Sequence, residues 1–273
     1  VKANTRDYGP RSERQRPRTV VAFTLLELLT VIAIMGILAA IALPAIRGLK
    51  PNVKVAGTRQ LLDAVTRARQ LAVSQRTPVY MVFLFTNFYS GLNGTNLARV
   101  QPLLDKQLTG YAFLTLRSVG DQPGVSTPRY LSSWKSLPAG AYIPVEKFLV
   151  GGLYLSNATM TPPAGPPVYI PPFPVTNNIP FPSEDNPVTV PVALPYIAFD
   201  GMGQLISGLP GQPELIPVAE GRVSFARDPN SKQALPQPPA VTEQPPGNTY
   251  DNFSLVYIDR LTGRARVERR KVQ

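Results

Sequence analysis

The sequence predicts an α+β fold, in which a long N-terminal membrane-spanning helix leads into an amphipathic helix packed on an antiparallel β-sheet. Three observations carry this expectation. Residues 23–43 form a run of 21 residues with a single charge, Glu27. Residues 58–76 place Leu61, Ala64, Val65, Ala68, Leu71 and Ala72 on one face at helical spacing. After Thr77-Pro78 the chain turns to short runs rich in β-branched and aromatic residues, separated by Gly, Pro and Asp.

The first element is a leader, residues 1–22. It is polar, rich in Pro and Arg, and shows no hydrophobic periodicity. Lys2, Arg6, Arg11, Arg14, Arg16 and Arg18 outnumber Asp7 and Glu13, for a net +4. The apolar run that follows, taken as a helix, spans about 31 Å, which matches a bilayer core of about 30 Å. A secretory signal peptide would have a shorter apolar region and a cleavage site beyond it. Here Ala42-Leu43-Pro44 is a poor site, so a spanning helix is expected. The leader charge favours a cytoplasmic N-terminus, although Arg47, Lys50 and Lys54 follow on the far side.

Glu27 is the anomaly. A carboxylate near the centre of a lone spanning helix costs about 2.5–3.5 kcal/mol, and less towards an interface. Two readings stand side by side: a charge tolerated near the headgroups, or a group that meets a cation of another chain once helices pack.

The amphipathic helix comes next. Gly48, Pro51 and Gly57 make residues 47–57 a weak helix. From residue 58 the apolar face is continuous, while Arg59, Arg67, Arg69 and Arg76 fall on other faces and read as solvated. Thr77-Pro78 ends the helix. Strands are expected at residues 79–85, 111–119 and 147–155. Residues 162–195 contain 12 Pro in 34 residues, which reads as a polyproline-like surface insertion unable to form a central strand. Asp200-Gly201 and Gly203 between apolar runs signal a hairpin turn, preferred over a calcium loop because the spacing fits no EF-hand. A strand at 221–227, a loop at 234–252 and a final hairpin at 253–269, turning over residues 260–263, complete the chain.

Composition narrows the chemistry. The chain carries +11, from 28 Lys and Arg against 17 Asp and Glu, yet charged residues make up only 16%. It has no Cys, so no disulfide forms. It has no His, which removes the usual general base and the commonest metal ligand. No local signature marks another catalytic set, so neither enzymatic activity, a cofactor nor a metal is expected. Arg260, Arg264, Arg266, Arg269, Arg270 and Lys271 cluster near the end of the chain. They read either as a charged, solvated edge strand or as an anion-binding patch. The patch lacks the interleaved aromatic row on which single strands stack.

"AFTLLELLTVIAIMGILAAIALP", from Ala22 to Pro44, resembles the N-terminus of type IV prepilins and type II secretion pseudopilins. In that family a basic leader precedes a small residue, usually Gly, then Phe-Thr-Leu, an acid and an apolar helix broken by Pro. The resemblance implies that prepilin peptidase cuts between Ala22, which stands where Gly is usual, and Phe23, and then methylates the new amine. It gives Glu27 and Pro44 roles in assembly, as the acid of the motif and the helix kink. It implies a pilin-like fold divided into a leader at 1–22, a transmembrane and filament-assembly helix at 23–57 and a periplasmic globular domain at 58–273. "LLDAVTRARQLAVSQRTPVYMVF", residues 61–83, is similar to the minor pseudopilins of the H type and the related minor pilins. The function implied is that of a minor pseudopilin, a structural subunit of a periplasmic pseudopilus that takes part in protein export. The alternative is a minor type IV pilin engaged in pilus assembly or DNA uptake. The expected location is the bacterial inner membrane, as a single-pass protein. The expected partners are prepilin peptidase, other pseudopilin or pilin subunits, inner membrane lipid and an assembly platform, with DNA as a weaker option.

Overall fold

A computed structural model describes residues 24–48, 53–117, 120–122, 127–155, 168–181, 190–251 and 253–269. The chain divides into two compact units, Val1–Pro51 and Asn52–Gln273. The leader and the Ala22–Phe23 junction lie outside the described residues, as do Arg270 and Lys271.

In the first unit, helix α1 runs Leu25–Gly48, a span that includes Pro44. The expectation of a membrane-spanning helix is corrected here: among the described residues no helix is long and apolar enough to cross a membrane. The single-pass inner-membrane placement, with a cytoplasmic N-terminus and a periplasmic domain, rested on that helix and is overturned with it.

The second unit is α+β, but it holds two main antiparallel sheets where the sequence led us to expect one. Helix α2, Val53–Gln75, buries Leu61, Ala64, Val65, Ala68 and Ala72, the face read from the sequence, with Leu71 partly covered. It starts earlier than expected because Gly57 is a contact point. A Cβ at that position would overlap the Ala141 methyl, so a bare backbone lets α2 approach the strand there.

The first sheet contains β1 (Val79–Phe83), β2 (Gly110–Thr115), β3 (Arg129–Tyr130), β4 (Lys135–Ser136), β8 (Val175–Phe181) and β9 (Val190–Phe199). Its order is β3-β2-β1-β9-β8, with β4 also on β2. The second sheet contains β5 (Ala141–Tyr142), β10 (Glu214–Ser224), β11 (Ala240–Glu243), β12 (Ser254–Ile258) and β13 (Ala265–Arg269). Its order is β11-β10-β12-β13, with β5 on β10. A small hairpin pairs β6 (Leu153–Leu155) with β7 (Val168–Ile170).

Both sheets pack on α2. Met81 and Phe83 of β1, Phe113, Ile197, Ile216, Val218, Val256 and Ile258 surround the helix in one core. The other face of the first sheet is closed by α3 (Gly94–Val100) and a 3-10 turn at Gln101–Lys106, through Val100, Leu103 and Leu104. Leu153 and Ile170 of the small hairpin pack with Phe253, Leu215 and Leu255.

Three segment expectations are corrected. Residues 145–148 form a 3-10 turn, and only β6 remains of the strand expected at 147–155. The loop expected at 234–252 contains edge strand β11 and a short helix, Asn248–Asp251. The Pro-rich stretch supplies β7, β8 and β9, and β9 sits inside the first sheet. Backbone parity explains how β9 tolerates Pro191 and Pro195. The Tyr196 N–H donates to the Pro174 carbonyl (3.0 Å), on the β8 side. Positions 191 and 195 therefore direct their nitrogens away from β8, where β9 is not yet paired with β1, whose ladder begins at Tyr196. The ladder with β8 therefore loses no donor at either proline.

Candidate functional site

The start of α1 is built by Thr24. Its Oγ1 accepts the Glu27 N–H (3.2 Å) and its carbonyl accepts the Leu28 N–H (3.1 Å). Thr24-Leu25-Leu26-Glu27 is thus a helix-capping sequence, Thr at N-cap and Glu at the third helical position. An acid in the first turn also faces the positive end of the helix dipole. The sequence reading treated Glu27 only as a charge inside an apolar run and missed this signal, which Thr-x-x-Glu carries openly. Beyond it, Leu25, Leu26, Leu28, Leu29, Val31, Ile32, Ile34, Met35, Ile37 and Leu38 are 46–81% exposed. Pairs of adjacent residues recur, so apolar side chains point to every face of the helix.

The basic residues near the C-terminus are not a single free patch. The hairpin of β12 and β13 forms as expected and turns at Asp259–Gly263, with Asp259 Oδ1 accepting the Thr262 N–H (2.8 Å). Arg260 donates through Nη1 to the carbonyls of Ser207 (3.1 Å) and Leu209 (2.9 Å), holding the loop before β10. Arg266 donates through Nε and Nη2 to Glu268 (3.0 and 2.8 Å) and lies 4.0 Å over the Tyr257 ring. Arg264 is exposed. Arg269 ends β13, the edge strand of its sheet.

Asp200 serves a turn. Its Oδ1 accepts the N–H groups of Met202 (3.0 Å) and Gln204 (2.8 Å). Arg69, expected on a solvated face, instead donates through Nε to the carbonyls of Gly203 (3.1 Å) and Thr262 (2.8 Å). It joins α2 to the turn after β9 and to the turn before β13.

Two buried polar clusters were not foreseen. Lys147 and Glu214 form an ion pair with both side chains essentially inaccessible. Lys147 Nζ also donates to the Pro171 carbonyl (2.6 Å) and sits 4.5 Å from the Phe173 ring centre. Burial lowers the Lys147 pKa, and the Glu214 carboxylate beside it only partly offsets this. The second cluster joins Tyr142, Glu243 and Thr249. Tyr142 donates to Glu243 Oε1 (3.2 Å), which also accepts from the Thr249 hydroxyl. Burial, with the charge of Glu243 alongside, pushes Tyr142 up to about 12, against the contact between its hydroxyl and that of Thr249 (3.0 Å), which pulls the other way. Both clusters sit at separations in sequence that no local pattern reveals, 67 and 101 residues.

Comparison with family models, with curated proteins and with solved structures finds no match in any of the three.

Proposed function

We propose that this chain is a minor pseudopilin, a filament subunit of a type II secretion system that takes part in protein export. Prepilin peptidase would cut between Ala22 and Phe23 and methylate the new amine. The observation that carries this reading is α1. It opens with Thr24 capping the Glu27 N–H, which puts the acid in the first turn, and then presents apolar side chains all round. A helix of that kind needs apolar company on every side. Equivalent helices of neighbouring subunits supply it in a filament core. Glu27 lies four residues after Phe23, about 6 Å along the helix axis. In a staggered bundle, its carboxylate meets the Phe23 amine of a neighbour. An unpaired charge in such a core is costly, so the pairing fixes the axial register. Arg260 and Arg266, two of the cations that a DNA-binding minor pilin would offer, are already engaged within the fold. The export-filament reading is therefore preferred.

The test is co-expression with a prepilin peptidase and the other filament subunits. Intact-mass analysis should show loss of the leader and a methyl group on Phe23. The Glu27→Leu variant should be cut normally but co-purify poorly with the other subunits, and Glu27→Asp, one methylene shorter, should restore little. An uncut chain, a cut after Ala42, or normal incorporation of Glu27→Leu would sink the proposal.

A further inference from the structure

A groove of about 450 Å³ runs between the exposed side of α2 and strands β2 and β4. Arg59, Asp63 and Arg67 line its helix side and Lys135 its strand side, all of them exposed. Gln60 and Tyr111 close the floor: Gln60 Nε2 donates to the Tyr111 hydroxyl (3.1 Å) and to the Ser136 carbonyl (2.7 Å). Among the described residues, no ion pair engages any of the four charged groups. Three cations and one carboxylate therefore face an open channel. This contrasts with the C-terminal arginines, which the fold partly consumes.

The spacing of the charges specifies an occupant. Arg59, Asp63 and Arg67 follow at four-residue steps on one helix, about 6 Å apart along the axis. In an extended peptide, alternate residues share a face and lie about 6.6–6.8 Å apart. Along the axis the two rulers drift by only about 1–2 Å, while eight residues turn the stripe by about 80° around the helix; the long arginine side chains absorb that offset, since both line the groove. We propose that this groove binds an extended segment of a partner protein that carries two acids four residues apart with a basic residue midway. The acids meet Arg59 and Arg67, the midway base meets Asp63, and Lys135 supports an acid from the strand side. A polynucleotide fits worse on two counts. Asp63 would face the middle of its phosphate chain, and Tyr111 and Phe113 are buried, so bases find no ring to stack on. A second copy of this chain is also the wrong occupant, because nowhere in the sequence do two acids stand four residues apart. The inference stands apart from the filament reading and does not depend on it.

The test uses the full chain in mild detergent and the fluorescein-labelled peptide Ser-Glu-Ser-Lys-Ser-Glu-Ser, followed by fluorescence anisotropy at low salt. Three comparison probes are a shuffled peptide with its two glutamates adjacent, a peptide with Glu in place of the central Lys, and a short oligothymidylate. The spaced peptide should bind saturably and more tightly than the shuffled one, and the Arg59→Gln/Arg67→Gln variant should bind it at least about tenfold more weakly. The all-acidic peptide should bind poorly to the wild type and recover in Asp63→Lys. The altered side chains are exposed, so near-UV circular dichroism should be unchanged and reports directly if a variant misfolds; Lys135→Gln then gives an independent reading. Equal binding of the shuffled peptide, undiminished binding in the double variant, absence of saturable binding, or tighter binding of oligothymidylate lost in the same variant would each overturn the proposal.

Discussion

Lys147 and Glu214 make the sharpest statement about single residues. Both are buried, and their mutual contact, the Pro171 carbonyl and the Phe173 ring are what the lysine has in place of water. A buried pair is expensive to form but more expensive to break, because removal of one partner leaves the other charged and alone. Lys147→Met should therefore cost about 3–5 kcal/mol in urea unfolding. Lys147→Met/Glu214→Leu should recover most of that loss. Additive losses in the double variant would show that packing, not the pair, sets the cost. Tyr142 gives a pH-dependent counterpart. Its hydroxyl titrates at about 12 in the fold against 10.0 ordinarily. The folded state thus holds the proton that the unfolded chain releases first. That contribution is intact below about pH 10 and fades as the pH climbs through the folded value, about 12. The unfolding midpoint of the wild type should fall across this window, and Tyr142→Phe should flatten the fall. An unchanged alkaline limb in Tyr142→Phe would assign the effect to another group.

At the scale of elements, what could be read in advance follows from whether the signal is local. The α2 face was legible because Leu61, Ala64, Val65, Ala68 and Ala72 recur at helical spacing and all of them are buried. The β12–β13 hairpin was legible because Asp259, Thr262 and Gly263 supply their own turn chemistry. β9 was missed because Pro191 and Pro195 argue against a central strand unless the partner on each side is known. The ladder resolves the conflict only once β8 and β1 are placed on their separate stretches of β9. Arg69 was misread for a related reason: its two carbonyl partners lie 134 and 193 residues away. Gly57 tests the same logic. Helix propensity alone says that Gly→Ala inside a helix gains about 1 kcal/mol. The close approach of Ala141 says the opposite, because the new methyl has no room. Gly57→Ala should lower the urea midpoint, and Gly57→Val should lower it further. A stabilised Gly57→Ala would mean that α2 and β5 can separate at no cost.

For the molecule as a whole, the division of labour between the two units is the remaining question. Every apolar cluster of the larger unit draws on that unit's own residues, from Val53 in the first core to Ile258 in β12. The two sheets share α2 as their common support, so the larger unit carries what it needs to fold. The apolar side chains of α1 from Leu25 to Leu38, by contrast, are exposed. They are a liability in water unless other helices cover them. A chain beginning at Val53 should therefore fold with the same near-UV circular dichroism as the full chain and sediment as a monomer. The full chain, without detergent, should associate, and replacement of Leu28, Ile32 and Met35 by Ser should reduce that association without moving the unfolding midpoint of the larger unit. The order of the two effects matters. If the chain beginning at Val53 precipitates while the full chain stays dispersed and folded, then α1 completes the fold. The exposed helix could then no longer be assigned to assembly. If both fold but the Ser variants associate as before, the contact between subunits lies on the sheets, and the filament reading loses the observation on which it stands.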